Sequence, residues 1–217
     1  MSREAEKRLA AAKAATLVED SMRVGLGTGS TTAYLLAELG ARPVRAVFVA
    51  TSPATEQAAR SFGLEVEPFG ANARLDLAID GADQVDEDGW LIKGAGGALT
   101  REKLVAASTD RFVVIVDSSK LVASLHAPVP VEILAFGASS TLHRLAPCEL
   151  RDLAPSPDGG LIVDYLGEVH EPGALASRLS TTPGVVEHGL FAPSLVSEVL
   201  VGIGETVRRM VVRGEHD

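Results

Sequence analysis

Asp80 and Asp83 stand three residues apart in Leu75-Asp-Leu-Ala-Ile-Asp80-Gly81-Ala82-Asp83, with only small residues between them, so a ligand has room beside both carboxyls. Two acids this close resist ionising together, and one of them can hold a proton near neutral pH and hand it on. Downstream, Lys93 opens the run Lys93-Gly94-Ala95-Gly96-Gly97-Ala98-Leu99-Thr100-Arg101-Glu102-Lys103. Its glycines can gather backbone N–H groups into an anion nest that the Lys93 ammonium also reaches, the outline of an oxyanion site. Upstream, Val24-Gly-Leu-Gly-Thr28-Gly29-Ser30-Thr31-Thr32 joins an apolar strand to a helix through glycines and hydroxyls. Hydroxyls beside the unpaired N–H groups of a helix start suit a phosphate.

Each segment also has a plainer reading. The upstream loop lacks the last glycine of a dinucleotide fingerprint and the lysine of a P-loop, and it equally describes a tight turn with Ser30 or Thr31 as helix N-cap. The aspartates also suit an Asx-type turn or, less well, a divalent cation, since no histidine or further carboxylate sits at ligand spacing. Glu102, just inside a helix that Thr100 would cap, also suits the helix dipole, a contribution of about 0.3–1 kcal/mol. Taken together, the groups fit proton transfer beside a carbonyl. Lys93 and backbone donors polarise the carbonyl, and a carboxylate moves the adjacent proton through an enediol. That chemistry needs neither a metal nor an organic cofactor. Lys120, in Asp117-Ser-Ser-Lys120, and Lys7 on the first helix are further candidates for the phosphate, against the commoner role of a solvated lysine.

The elements that carry these groups alternate. Helical spacing over 3–19 leads to a strand at Met22–Leu26, a helix at Thr31–Leu39, a strand at Val44–Ala50 and a helix at Pro53–Phe62. A strand at Leu75–Ile79, a helix at Thr100–Ala107 and a strand at Phe112–Val116 follow. The expected fold class is α/β, a Rossmann-like open, mostly parallel sheet with helices on both faces. Gly27–Ser30, Thr51-Ser52, Asp80–Asp83 and Asp117–Lys120 each follow an apolar strand, so a parallel sheet places all four at its carboxyl edge, where open α/β sheets bind ligands. From Pro128 the order becomes β-α-β-β-α-β, with strands at Val131–Phe136, Glu149–Leu153, Leu161–Leu166 and Val185–Phe191 and helices at Ser139–Leu145 and Pro172–Leu179. This is a smaller ferredoxin-like α+β domain. The expected division is 1–127 plus 197–217 for the catalytic domain and 128–196 for the smaller one. The tail reads as a strand at Ser197–Ile203 and a helix at Glu205–Val212.

The 217 residues are 46% apolar, enough for a sizeable core, and 29 acidic against 20 basic residues give a net charge of −9. That balance argues against nucleic acid as partner. The single cysteine, Cys148, allows no internal disulfide and no multi-cysteine metal site, and the five histidines are not at ligand spacing. No run approaches the length of a membrane span, and the first residues lack an apolar signal core. The expectation is a soluble protein of a reducing compartment.

Gly27-Thr-Gly-Ser-Thr31, Asp80-Gly-Ala-Asp83, Lys93 to Lys103, Ser119-Lys120 and Pro128-Val-Pro-Val-Glu132 resemble, in order and spacing, the signature blocks of ribose-5-phosphate isomerase, type A. The resemblance runs from about Lys7 to the tail and is specific because the blocks occur together. It implies interconversion of ribose 5-phosphate and ribulose 5-phosphate in the pentose phosphate pathway, with Glu102 as the proton-transferring base. It implies that Asp80, Asp83 and Lys93 serve ring opening, proton exchange between O1 and O2, and enediolate stabilisation. Thr28, Gly29, Ser30, Thr31, Gly81, Ala82, Gly94, Ala95, Gly96, Lys120 and Lys7 would hold substrate and phosphate. A cofactor-free, cytoplasmic homodimer or homotetramer is likewise implied. Two departures stand out: Ala95, where many relatives carry glycine, and Pro193-Ser-Leu-Val-Ser197. A different sugar-phosphate isomerase or lactonase would share the phosphate loop but not the Lys93 to Glu102 block. A sugar-phosphate sensor would be expected to add a DNA-binding segment, for which the stretch before the first strand is too short.

Overall fold

The computed structural model describes residues 2–70 and 74–212; one histidine, His216, lies outside them. The chain forms α1 (Arg3–Ala15), β1 (Arg23–Leu26), α2 (Ser30–Gly40), β2 (Val47–Ala50), α3 (Pro53–Ser61), β3 (Glu65–Val66), β4 (Leu77–Asp80), β5 (Gln84–Val85), β6 (Leu91–Ile92), α4 (Leu99–Ala107) and β7 (Phe112–Asp117). It continues with β8 (Val129–Ile133), α5 (Ala138–Leu145), β9 (Cys148–Leu150), β10 (Leu161–Tyr165), α6 (Pro172–Ser180), β11 (Val185–His188), β12 (Leu190–Phe191), β13 (Glu198–Ile203) and β14 (Thr206–Val211). Two compact units result: Met1–Ala82, Arg101–Leu121 and Pro193–Asp217 form the first, and Asp83–Thr100 with Val122–Ala192 the second. This division differs from the sequence-based boundaries chiefly in taking 83–100 into the second unit.

The first unit is built on a seven-stranded sheet in the order β14-β13-β7-β4-β1-β2-β3. Its strands are parallel except for the terminal pair β13–β14. Strands covered on both faces read as continuous apolar runs, and every residue of β7 is buried. One face packs Val24, Leu26, Leu77 and Ile79 against Ala10 and Ala14 of α1 and Leu35 and Leu39 of α2. On the other face Val105 of α4 lies over Gly25, so close that a methyl there would stand 2.4 Å from its Cγ1. Helices thus cover both faces.

Helix α1 starts at Ser2, whose hydroxyl accepts from Ala5 N–H, a cap contributing about 1 kcal/mol. A second fastening is Glu6, buried on the sheet side. Its Oε2 accepts from Ser118 N–H at 3.1 Å and Oγ–H at 2.7 Å, and its Oε1 accepts from Gly204 N–H at 2.9 Å. These bonds, the Ser118 hydroxyl foremost, hold the Glu6 carboxyl below its ordinary value of 4.5. A carboxyl depressed in the folded state contributes stability above its unfolded pKa and loses it as pH falls through the folded value. Thermal unfolding should therefore separate the unaltered chain from Glu6→Gln most widely near neutral pH, with the gap closing in acid; a gap independent of pH would contradict this.

The tail departs from expectation. Glu205–Val212 does not form a helix: Thr206–Val211 is β14, hairpinned to β13 across Gly204-Glu205. Val207, Met210 and Val211 fall at helical spacing, but pairing with β13 decides the outcome, a tertiary override of a short local pattern.

In the second unit β8, α5, β9, β10, α6 and β11 give the expected β-α-β-β-α-β. Their antiparallel sheet has the order β11-β8-β10-β9. Leu145 of α5 and Leu175 and Leu179 of α6 close its core with Val131, Ile133 and Val163. A three-stranded sheet, β12-β6-β5, completes the unit. Leu190–Phe191, expected as the end of the last long strand, is the separate β12, paired with β6.

Candidate active site

In the first unit β1, β2, β4 and β7 run parallel, so the polar clusters that follow them lie at one edge of the sheet. The loop after β1 is drawn onto the end of β4. Asp80 is 3% exposed, and its Oδ1 accepts from Thr28 N–H at 3.1 Å and Gly81 N–H at 2.7 Å. Gly27 is required by that approach, because a Cβ there would lie 1.8 Å from Asp80 Cγ and Oδ1. The Thr28 hydroxyl turns into a cluster with Thr51 Oγ1 (2.9 Å), Ser52 Oγ (2.9 Å) and Thr55 Oγ1 (3.1 Å). Thr55 in turn donates to the Gly27 carbonyl at 3.0 Å.

These bonds fix the loop from both sides and leave Gly29 and Ser30 exposed at the start of α2, while Thr31 is buried. The N-cap of α2 is Gly29, at φ +136°, not Ser30 or Thr31; with no capping side chain, the first N–H groups remain available to an anion. Ser118–Lys120 forms a 3-10 turn at the end of β7, held by Glu6 on one side and on the other by Asp117, whose Oδ1 accepts from Ser119 N–H at 3.0 Å. Lys120 at its end is half-buried. Lys7 lies on α1 with its ammonium 2.9 Å from Glu4 Oε1, an ordinary i,i+3 ion pair. Glu102, in the first turn of α4, is 4% exposed, and Gly81 and Ala82 are half-buried after β4.

The second unit gathers Asp83, Lys93 and the glycine turn. Asp83 N–H donates to the Ile92 carbonyl at 2.8 Å, and Asp83 Oδ2 accepts from Ala95 N–H at 2.9 Å. Gly94 adopts φ +105°, and its carbonyl accepts from Gly97 N–H at 3.0 Å, closing the turn. A side chain at Gly94 would also collide with Leu99 and Pro130. Ala95 and Gly96 at the tip are exposed. Lys93, directly after β6, is 2% exposed; its N–H donates to the Gly189 carbonyl at 2.8 Å and its ammonium lies 5.5 Å from the centre of the Phe191 ring. A desolvated cation over an aromatic face gains about 2 kcal/mol. Thr100 does not cap α4, which begins at Leu99; its hydroxyl donates to buried Glu132.

Among the described residues no three His, Cys, Asp or Glu side chains are grouped as a metal site needs, and no helix is long and apolar enough to cross a membrane. The model of the family described as ribose 5-phosphate isomerase A (phosphoriboisomerase A) matches residues 47–206. The chain belongs to that family. It is 44% identical to ribose-5-phosphate isomerase A of Gluconobacter oxydans, an alignment covering 93% of this chain and 94% of that relative. The solved ribose 5-phosphate isomerase A of Methanocaldococcus jannaschii is similar at a TM-score of 0.92 with 32% identity, over 97% of this chain and 100% of the other. A D-ribose-5-phosphate isomerase solved in complex with phospho-erythronic acid gives a TM-score of 0.92 with 34% identity over the same shares.

Sequence reasoning did not single out Thr55, Phe191 or Arg151 as partners of the candidate site. Thr55 had a signal, a hydroxyl one helical turn after the Thr51-Ser52 cluster. Phe191 and Arg151 had none, since only strand pairing and β-sheet order bring them to Lys93 and Gly94.

Proposed function

We propose that this protein interconverts ribose 5-phosphate and ribulose 5-phosphate by proton transfer through an enediolate. The reading is carried by the glycine loop after β1, locked to Asp80 at the carboxyl edge of a parallel sheet, in a chain of the ribose 5-phosphate isomerase A family. The exposed start of α2, with Thr28 to Thr31 behind it, takes the phosphate, and Lys120 adds positive charge, with Lys7 on α1 as a second cation. The Asp80 and Asp83 carboxyls serve ring opening and the exchange of a proton between O1 and O2. Glu102 removes the C2 proton of the open-chain aldose; the C1–C2 double bond forms as the carbonyl electrons move onto O1. Lys93 and the N–H groups of the 94–97 turn stabilise that oxyanion. Return of the proton to C1 leaves the carbonyl at C2, and the ketose is formed. Phospho-erythronic acid, which the similar isomerase binds, fits this picture as a phosphorylated acid whose planar, charged carboxylate imitates the enediolate. The same reading takes the enzyme as a cytoplasmic homodimer or homotetramer that needs no cofactor.

Incubation with ribose 5-phosphate in heavy water tests the reading. Deuterium should enter at C2 of ribose 5-phosphate and C1 of ribulose 5-phosphate, the two enediol carbons, while the ketose accumulates to equilibrium, both followed by NMR. Absence of both exchange and ketose would refute the isomerase.

A further inference from the structure

Arg151, just after β9, is a half-buried guanidinium whose contacts lead away from its own strand. Its Nε and Nη2 donate to Asp164 Oδ2 at 2.8 Å and Oδ1 at 2.6 Å, a two-pronged pair in which the side chains are 16% and 21% exposed. Its Nη1 donates to the carbonyls of Gly94 at 3.0 Å and Ala95 at 3.1 Å. A trans peptide points its C=O and N–H in opposite directions. The peptide joining Gly94 to Ala95 therefore has its carbonyl on Arg151 and its N–H on Asp83 Oδ2, at 2.9 Å. Guanidinium, peptide and carboxylate stand in series, and the positive charge polarises the amide and strengthens its hydrogen bond to Asp83. The next peptide also has its carbonyl on Arg151, which turns the Gly96 N–H to the opposite side, at an exposed residue.

We propose that Arg151 is a positioning residue for the isomerisation: by clamping the Gly94 and Ala95 carbonyls it fixes the Asp83 carboxylate and aims the Gly96 N–H at the developing oxyanion of the substrate. This role rests on the functional reading of Asp83 and the 94–97 turn given above. Only arginine's planar fork engages Asp164 with two N–H groups while offering a third nitrogen to both carbonyls; a lysine ammonium keeps the charge but not that geometry.

The test compares Arg151→Lys with Asp164→Asn, the milder change that leaves the guanidinium in place and loosens its orientation. For Arg151→Lys the expected fall in kcat is about tenfold or more, as for a small misplacement of catalytic groups. The KM for ribose 5-phosphate and the unfolding temperature should stay close to those of the unaltered chain, and Asp164→Asn should lose less kcat. The Ala95 amide proton should move upfield in the Arg151→Lys NMR spectrum as its bond to Asp83 weakens, a change a purely structural role would not give. Full kcat in both variants overturns the proposal, as does a loss of activity that merely follows the loss of folded protein. An unaltered chain inert toward ribose 5-phosphate overturns the functional reading itself, an outcome visible before any variant is made.

Discussion

Glu102→Gln should abolish isomerisation while leaving ribose 5-phosphate bound. The substitution keeps the shape of the side chain and the helix propensity of its position in α4, so neither the fold nor the sugar's contacts with the rest of the chain are disturbed. What disappears is the basic oxygen that takes the C2 proton in the proposed mechanism. An amide cannot accept a proton at neutral pH, and loss of a general base lowers turnover by about 10²- to 10⁴-fold. The drop should fall on kcat, with KM and the affinity for phospho-erythronic acid nearly unchanged, since the interaction is lost in the transition state and not in the ground state. Burial sharpens the expectation: at 4% exposure, bulk water has little access to stand in for the missing carboxylate. Deuterium exchange in Glu102→Gln at the rate of the unaltered chain would show that another group is the base.

The second large effect is expected at Gly27, which touches no substrate in the proposed mechanism. Gly27→Ala places a methyl where Asp80 Cγ and Oδ1 already are, 1.8 Å away, and the carboxylate must leave the N–H groups of Thr28 and Gly81. Displacing a catalytic group by about 1 Å can lower the rate by about 10²-fold, and overpacking a tight contact costs about 1–3 kcal/mol. Both kcat/KM and the unfolding temperature should therefore fall together, in contrast to Glu102→Gln, where only turnover changes. Undiminished kcat/KM in Gly27→Ala would mean that the Asp80 contacts to the loop are not needed.

The sequence carried the α/β alternation because its strands are apolar runs and its helices show clear periodicity; β1, β2, β4 and β7, and the polar clusters behind them, were legible from that pattern alone. The two-residue strands β3, β5 and β6 were not, because a pair of residues has no period and exists as strand only through its neighbour, and β12 was legible as strand but not as a piece separate from β11. The tail was misread for the related reason that Val207, Met210 and Val211 suit a helix until β13 is available to pair with. Asp80, Asp83 and Lys93 stood out by type and spacing. Their supports did not: Phe191 lies far along the chain from Lys93, and the bond from Arg151 to Gly94 joins segments separated by α4, β7, β8, α5 and β9. Local chemistry can be read from one segment, whereas the groups that hold it in place are chosen by topology.

That topology also sets the order in which the protein can be completed as it is made. β13, the strand that lies against β7, is drawn from residues 198–203, so β7, which ends at Asp117, acquires that neighbour only after the whole second unit has been made. At about 5–20 residues per second, β7 waits with an unpaired edge for roughly 4–17 s after its own residues have been added. That edge is entirely apolar up to Asp117, the kind of surface that recruits other strands. A nascent chain that halts between the two segments therefore presents this edge to other strands, and the exposure ends only when the β13–β14 hairpin arrives.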